Sequence, residues 1–341
     1  MNHLAGGTLR KRACVKNRSG ESLAEKEIKM GGQAVIEGVM MRSADTWAVA
    51  VRSPNGEIVV KKESWLPAGK RFRFLKLPVL RGAVVLVETL VLGVKALSFS
   101  ADVASSEQSS EDDPAEPKTQ KGFWWTVSLI GTVALSLLLG ILIFFYIPLL
   151  LTELLNIESP ILFNLVDGLL RVVFFLAYLL IISRWQEIKR VFEYHGAEHK
   201  TIFAYEDSKE LTWDNIRPYS TFHQRCGTSF ILVLMLVSIL VFILLGKPYL
   251  WQDRLLRMLI IPLIGGITYE LIKLGDRFAG HPVVRLFIGP GLWLQRITTR
   301  QPDKSQVEVA VASLRAALGL DQPVPVPSAA SPHQTAKRPG Y

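Results

Sequence analysis

The sequence predicts a mainly α-helical, polytopic membrane bundle with about four spans, a small N-terminal β-hairpin and further helices at the membrane surface. Hydrophobic residues make up 49% of the 341 residues and are concentrated in long runs. Such runs are typical of membrane spans, since one crossing needs about 20 apolar residues. Lys and Arg are unevenly distributed among the segments between these runs, and an Asn-Gly pair separates two β-rich runs, which is a hairpin signal.

Four apolar segments are predicted to cross the membrane, at 124–151, 163–182, 229–245 and 255–274. Residues 78–100 are apolar too, but they carry Arg81, Glu88 and Lys95. Their seven-residue spacing puts these three side chains on roughly one side of a helix. This pattern favours an amphipathic helix in the interface, or docked on the bundle, over a fifth span.

The distribution of Lys and Arg predicts the orientation. Segment 148–160 has neither residue, whereas segment 183–228 has seven of them. Both termini and the loop 183–228 are therefore expected on the cytoplasmic side of an inner membrane. The net charge of +9 agrees with basic loops facing anionic lipid. No nucleic-acid-binding motif accompanies this charge, so the expected partner is the lipid bilayer, with no nucleic acid.

The composition divides the remaining chain. The polar residues 1–28 lack an apolar stretch, which predicts a disordered leader rather than a cleaved signal peptide. The Asn-Gly hairpin falls in a Gly-rich N-terminal segment. The predicted order is leader 1–28, Gly-rich segment and hairpin 29–77, interfacial helix 78–100, acidic flexible linker 101–121, membrane bundle 122–320 and disordered tail 321–341. Within the bundle, Gly289-Pro290-Gly291 predicts a break in an apolar stretch, and 303–320 predicts a capped amphipathic helix.

The main candidate for chemistry is a pair of histidines after the second predicted span. His195 and His199 lie four residues apart, so on a helix they share one face, as two ligands of one metal must. Glu198 completes a His-x-x-Glu-His pattern, in which two His bind zinc and the Glu activates water. The alternative is an exposed juxtamembrane helix with two titratable histidines.

A second candidate group precedes the third predicted span. His223 and Cys226 have a spacing that suits one metal, although a buried small cysteine and a helix-capping turn explain the same residues. The chain has two cysteines, Cys14 and Cys226, which excludes a disulfide framework and a four-Cys zinc site. Glu270 lies near the end of the fourth predicted span, where it can serve as a further ligand or pair with Lys273.

The predicted topology brings these groups to one membrane face. His195 and His199 follow the second span, Cys226 precedes the third, and Glu270 ends the fourth. We therefore expect a site for a divalent metal, zinc by its ligand types, with ligands drawn from His195, His199, Glu270, His223 and Cys226. Asp167 and Arg171 enter from the other side, where a structural ion pair is expected and a transport pathway is the alternative.

Four spaced motifs carry a resemblance to a known family. They are Gly31–Arg42 with the sequence GGQAVIEGVMMR, His195–Lys200 with HGAEHK, Arg225–Ser229 with RCGTS, and Pro290–Gln295 with PGLWLQ. Together they resemble the bacterial YqhQ-like family of multi-pass membrane proteins, a domain of unknown function. The resemblance covers roughly residues 29–318 and implies a metal-dependent protein without naming a substrate. His223 departs from the family pattern His-Pro-Arg before the cysteine, which favours Cys226 over His223 as a ligand.

Two classes of function follow. The first is a metal-dependent membrane enzyme of hydrolytic type, with His195 and His199 on the metal and Glu198 as the catalytic base. Because the site is expected at the lipid surface, its substrate would be a lipid or a membrane-embedded peptide. The second is a non-enzymatic scaffold, assembly factor or transporter, in which the histidines pack as polar residues at the membrane surface.

Overall fold

The computed structural model describes residues 30–105, 123–223, 225–277 and 282–320. The predicted leader 1–28, most of the predicted linker 101–121 and the predicted tail 321–341 lie outside these residues. Four strands come first: β1 (Gly31–Val35), β2 (Gly38–Arg42), β3 (Thr46–Arg52) and β4 (Ile58–Ser64).

The remaining regular elements of the described residues are helices. In chain order they are α1 (Ala68–Arg71), α2 (Leu80–Ser105), α3 (Phe123–Ile141), α4 (Ile147–Leu154), α5 (Pro160–Ile182), α6 (Gln186–Glu206), α7 (Trp213–Ile216), α8 (Gly227–Leu245), α9 (Trp251–Leu259), α10 (Ile261–Arg277), α11 (Pro282–Thr298) and α12 (Lys304–Leu318). A 3₁₀ turn at Arg73–Lys76 precedes α2, and a π-helical turn at Leu142–Tyr146 joins α3 to α4.

The strands form one antiparallel meander in the order β1-β2-β3-β4. The predicted Asn-Gly hairpin is confirmed as β3–β4, where Gly56 takes a φ of 91° that glycine accommodates without strain. The Gly-rich segment before it forms a second hairpin, β1–β2, which the sequence did not predict. The small β element is therefore a four-stranded sheet.

Both faces of this sheet are covered, because successive side chains of a strand point to opposite faces. Val39 and Met41 of β2 point into a core shared with α6 and α12. Met40, between them, points into a second core that includes Leu92 and Ala96 of α2. The sheet is thus the middle layer between α2 on one side and α6 with α12 on the other.

Five helical stretches of the described residues are long and apolar enough to cross a membrane: Leu80–Ser105, Ile130–Leu154, Pro160–Ile182, Gly227–Leu245 and Trp251–Gly275. Four of them match the predicted spans, so the mainly α membrane bundle is confirmed. The fifth is α2, which we predicted to lie in the interface.

Helix α2 touches the bundle and the sheet at different points along its length. Near its start, the backbone of Gly82 packs against Gly266 of α10, and Arg81 forms a bidentate ion pair with Glu270. Further along, Glu88 accepts hydrogen bonds from Arg42 and from the backbone N–H of Ala68. The charged side of α2 is therefore used for docking; its interfacial placement in a bilayer stays a prediction.

Two C-terminal segments differ in how well the sequence predicted them. The capped helix is confirmed, because Asp303 and Gln306 form a reciprocal capping box at the start of α12. The prediction of a break at Gly289-Pro290-Gly291 is wrong, because α11 continues through Pro290. Packing compensates for the lost backbone hydrogen bond, because Gly291 lets α11 lie directly against Ser229 of α8.

Candidate metal centre

The two predicted histidines lie on one face of α6, as their spacing required. The rings of His195 and His199 meet edge to face, with their centroids 4.4 Å apart. His199 is buried, and His195 is half-buried. Helix α6 follows α5 after three residues, Ser183, Arg184 and Trp185.

Cys226 joins the histidines from a distant part of the chain. It is the residue immediately before α8, and its side chain is buried and free of any disulfide. One ligand atom from each of His195, His199 and Cys226 lies within 4.8 Å of the other two. A metal with bonds of about 2.0–2.3 Å to such atoms would sit between them after small side-chain adjustments.

Backbone carbonyls orient both imidazoles. Nδ1 of His195 lies 2.8 Å from the carbonyl oxygen of Thr298, and Nδ1 of His199 lies 2.5 Å from that of Thr221. A carbonyl oxygen only accepts, so in each neutral imidazole Nδ1 donates and Nε2 carries the lone pair. Nε2 of His195 faces Cys226 Sγ at 3.2 Å. This is the outer-shell arrangement that metal-binding histidines use.

Burial favours the neutral, metal-binding form of His199. It lowers the pKa of His199, because a charged imidazolium is poorly solvated there, although contact with Cys226 opposes the shift. An imidazole with a lowered pKa stays in its neutral form at neutral pH. The ring can therefore offer its nitrogen to a metal without first releasing a proton.

Glu198 lies buried beside the histidines, with 5% of its surface exposed. Burial raises the pKa of the Glu198 carboxyl, and the charges of His195 and His223 oppose the shift. The carboxylate packs against Gly32 of β1, where an added Cβ would lie 2.7 Å from Glu198 Oε1. Among the described residues the carboxylate has no hydrogen-bond donor, so it is available to take a proton.

Two predicted ligands lie elsewhere. His223 packs beside His199 at 5.5 Å between ring centroids, but its Nε2 is 3.9 Å from Glu206 and its Nδ1 accepts from the backbone of Arg225. Glu270 is held by Arg81 in the ion pair between α10 and α2. Neither belongs to the group of ligand atoms that lie within 4.8 Å of one another, which His195, His199 and Cys226 form.

Several residues that support the site were not predicted from the sequence. The Gln295 side chain accepts from the backbone of His223 and donates to Ser229, so it spans the loop that carries Cys226. The carbonyl groups of Thr298 and Thr221 fix the histidines, and a short ion pair joins Arg225 to Glu206. Gln295 is the last residue of the PGLWLQ motif, but that motif alone does not predict its role.

Helix α6 also makes a close backbone contact next to the site. A Cβ on Gly196 would collide with the carbonyl oxygen of Arg300, whose N–H donates to the carbonyl of Phe192. This contact brings the end of α11, including Thr298, against the face of α6 that carries His195. Glycine at this position is therefore required by packing rather than by backbone flexibility.

Comparison with known proteins gives the family of the chain but no activity. The family model described as "Protein of unknown function (DUF1385)" matches residues 77–320. The "Uncharacterized protein YqhQ" of Bacillus subtilis (strain 168) is 36% identical over 299 residues, which cover 85% of this chain and 92% of the relative. No solved structure matches. The chain therefore belongs to the DUF1385 family, which includes YqhQ-like proteins.

Proposed function

We propose that this protein is a metal-dependent membrane enzyme of hydrolytic type. The observation that carries the proposal is the convergence of His195, His199 and Cys226 within 4.8 Å, with both histidine Nδ1 atoms on backbone carbonyls. Three protein ligands leave one position of a tetrahedral metal open, which is the arrangement of catalytic rather than structural zinc sites.

Each residue of the site has a distinct part in such a reaction. The two Nε2 atoms and the Cys226 thiolate would hold the metal, which would supply Lewis-acid activation of a water molecule and of the substrate. Glu198 would take a proton from that water and then protonate the leaving group. A raised pKa suits this exchange, because it makes the Glu198 carboxylate a stronger base than an ordinary glutamate.

The ligand types favour zinc as the divalent metal. Two imidazoles and a thiolate suit zinc, whereas magnesium and calcium prefer oxygen ligands. The same set also occurs in copper sites that transfer electrons. A buried carboxylate beside the ligands supports the hydrolytic role, since electron transfer requires no proton acceptor at that position. Metal analysis of the purified protein distinguishes the two metals.

The site would face the cytoplasm of a bacterial inner membrane. This orientation rests on the seven Lys and Arg residues in 183–228, the segment that contains all three ligands, and on their absence from 148–160. A reducing cytoplasm would also keep Cys226 as a thiol. Both termini would then lie on the cytoplasmic side.

Cysteine labelling tests this orientation. Glu158 and Lys209 are exposed and lie on opposite sides of the proposed membrane. In a Cys14→Ser background, an impermeant maleimide added to intact cells should label Glu158→Cys and leave Lys209→Cys unlabelled until the cells are opened. The buried Cys226 should stay unlabelled in both. Labelling of Lys209→Cys from outside would overturn the topology.

The substrate would be a lipid or a membrane-embedded peptide. Cys226 immediately precedes α8, a helix of membrane-spanning length, so the site lies at one end of that helix. A site at this depth is reached from the bilayer surface. The second class of function is a non-enzymatic scaffold, assembly factor or transporter, in which the same residues serve packing alone.

Glu198→Gln separates these two classes. If Glu198 is the base, the variant should retain its metal at wild-type stoichiometry and lose at least about 100-fold in hydrolytic rate, as expected for a general base. Metal content is measured by mass spectrometry, and hydrolysis is measured on vesicles that carry fluorogenic ester, phosphodiester and peptide substrates. The scaffold class is favoured if purified wild-type protein contains no stoichiometric metal.

A further inference from the structure

A group of buried charged residues lies outside the metal site, towards the end of the bundle where α5 begins. Asp167 and Arg171 lie on α5, and Arg257 on α9 packs beside them. All three are buried, with 1%, 7% and 2% of their surfaces exposed, respectively. Two guanidinium groups thus share the bundle interior with one carboxylate. Burying an unbalanced charge among membrane helices is energetically unfavourable.

Both oxygens of the Asp167 carboxylate accept hydrogen bonds from one of the two arginines, Arg171. Arg171 donates to both oxygens of Asp167 through Nε and Nη2, at 2.8 to 3.1 Å. Its guanidinium also lies over the ring of Phe145, at 4.1 Å from the centroid. The predicted ion pair within α5 is therefore confirmed, and it is self-contained. Asp167 still attracts Arg257 electrostatically, but it makes no hydrogen bond or ion pair with Arg257 among the described residues.

Arg257 has no such partner. Its Nη2 donates at 2.5 Å to the carbonyl oxygen of Gly246, which also accepts from Asn164 at 2.9 Å. Its guanidinium lies 4.9 Å from the ring centroid of Phe242. Nη1 is buried and has no hydrogen-bond partner among the described residues. A full positive charge therefore points a free donor into the bundle.

Neighbouring residues add donors at the same end. Arg254 lies one helical turn before Arg257, and although its Nη2 binds Glu153, its buried Nε has no partner among the described residues. Lys247 donates to the carbonyl of Ile157 and makes no ion pair within the described part of the chain. Residues three apart share a helix face, so the side chains of Arg254 and Arg257 extend from one side of α9.

We propose that this cluster, Lys247, Arg254 and Arg257, binds a phosphate-type oxyanion near the end of the bundle opposite the metal site. Such an anion accepts several N–H donors at once and would place negative charge in direct contact with Arg257, which neither Asp167 nor Asp253 does among the described residues. A phospholipid headgroup and inorganic phosphate share this chemistry. The loop 246–250, which joins α8 to α9, lies beside the cluster, so the anion would enter from the lipid headgroup region on that side.

The test compares three ligands on delipidated protein in an uncharged detergent: a short-chain phosphatidylglycerol, the matching diacylglycerol without phosphate, and inorganic phosphate. Wild-type protein should bind phosphatidylglycerol at least about tenfold more tightly than diacylglycerol, by native mass spectrometry and thermal shift. Binding of inorganic phosphate as well would identify a free oxyanion as a sufficient ligand. If inorganic phosphate does not bind but phosphatidylglycerol does, the ligand is the lipid headgroup.

Arg257→Gln should weaken this anion binding about 10- to 100-fold, the loss expected for a charge-assisted hydrogen bond. Arg184→Gln, which removes an equal charge from an exposed position at the other end, should leave it unchanged. If Arg257→Gln does not fold, Arg257→Lys takes its place and should lose about tenfold, because an ammonium lacks the planar fork. Equal binding by the Arg257 variant and wild type, or no preference of wild type for any phosphate ligand, overturns the proposal.

Discussion

Replacing His199 with alanine is expected to remove most of the bound metal. The free energy of zinc binding in structural sites is about 10–16 kcal/mol, or about 3 kcal/mol for each of four ligands. Loss of one ligand should therefore weaken binding by at least about 100-fold. The measurement is metal per protein after dialysis against a weak chelator, and His195→Ala and Cys226→Ala should behave in the same way.

Two control variants make this result specific for the ligand group. His223→Ala removes a buried imidazole 5.5 Å from the His199 ring, yet it should retain the metal because its Nε2 faces Glu206. Glu270→Gln should retain it too, because Glu270 is bound by Arg81. If either control loses as much metal as His199→Ala, the ligand set His195, His199 and Cys226 is wrong.

Gly196→Ala is expected to destabilise the protein, although this substitution usually stabilises a helix. An alanine in a helix interior is favoured over glycine by about 1 kcal/mol. At Gly196, however, the added methyl group would collide with the backbone carbonyl of Arg300, which cannot rotate away as a side chain can. Overpacking of this kind costs about 1–3 kcal/mol, so the apparent Tm should fall by about 3–10 °C.

The matched control is the same change in another helix. A Cβ on Gly131 of α3 meets no atom within 4 Å, so Gly131→Ala should leave the apparent Tm unchanged or raise it slightly. Both variants are measured by thermal unfolding in detergent. An unchanged Tm for Gly196→Ala would mean that the end of α11 does not press against α6, and the position of the Thr298 carbonyl on His195 would then be in error.

The sequence by itself determined the helical architecture. The apolar runs predicted four spans because lipid requires long, uninterrupted apolar helices, and the structure has helices at all four. Asn55-Gly56 predicted the β3–β4 hairpin because its turn needs a residue with positive φ. The capped amphipathic pattern of 303–320 predicted α12, and the capping box at Asp303 is a purely local feature. Each of these features depends on residues close together in the chain.

Part of the candidate site could also be predicted from residues close together in the chain. His195 and His199 share a helix face by spacing alone, and Glu198 lies beside them for the same reason. The sequence further predicted that Cys226 and Glu270 arrive at the same membrane depth. Residues at the same membrane depth can still lie far apart in the plane of the membrane. The predicted depth did not distinguish Cys226, which reaches the histidines, from Glu270, which pairs with Arg81 on another helix.

Only the tertiary structure decided the remaining features, because they depend on contacts between distant segments. Packing of α11 against α8 through Gly291 kept a helix where Gly-Pro-Gly predicted a break. Docking of α2 on the sheet gave Glu88 a partner in Arg42. The ends of α11 and the 217–223 loop brought the Thr298 and Thr221 carbonyls to the imidazoles. The orientation of those ring nitrogens, on which the metal proposal rests, is therefore a property of the assembled fold.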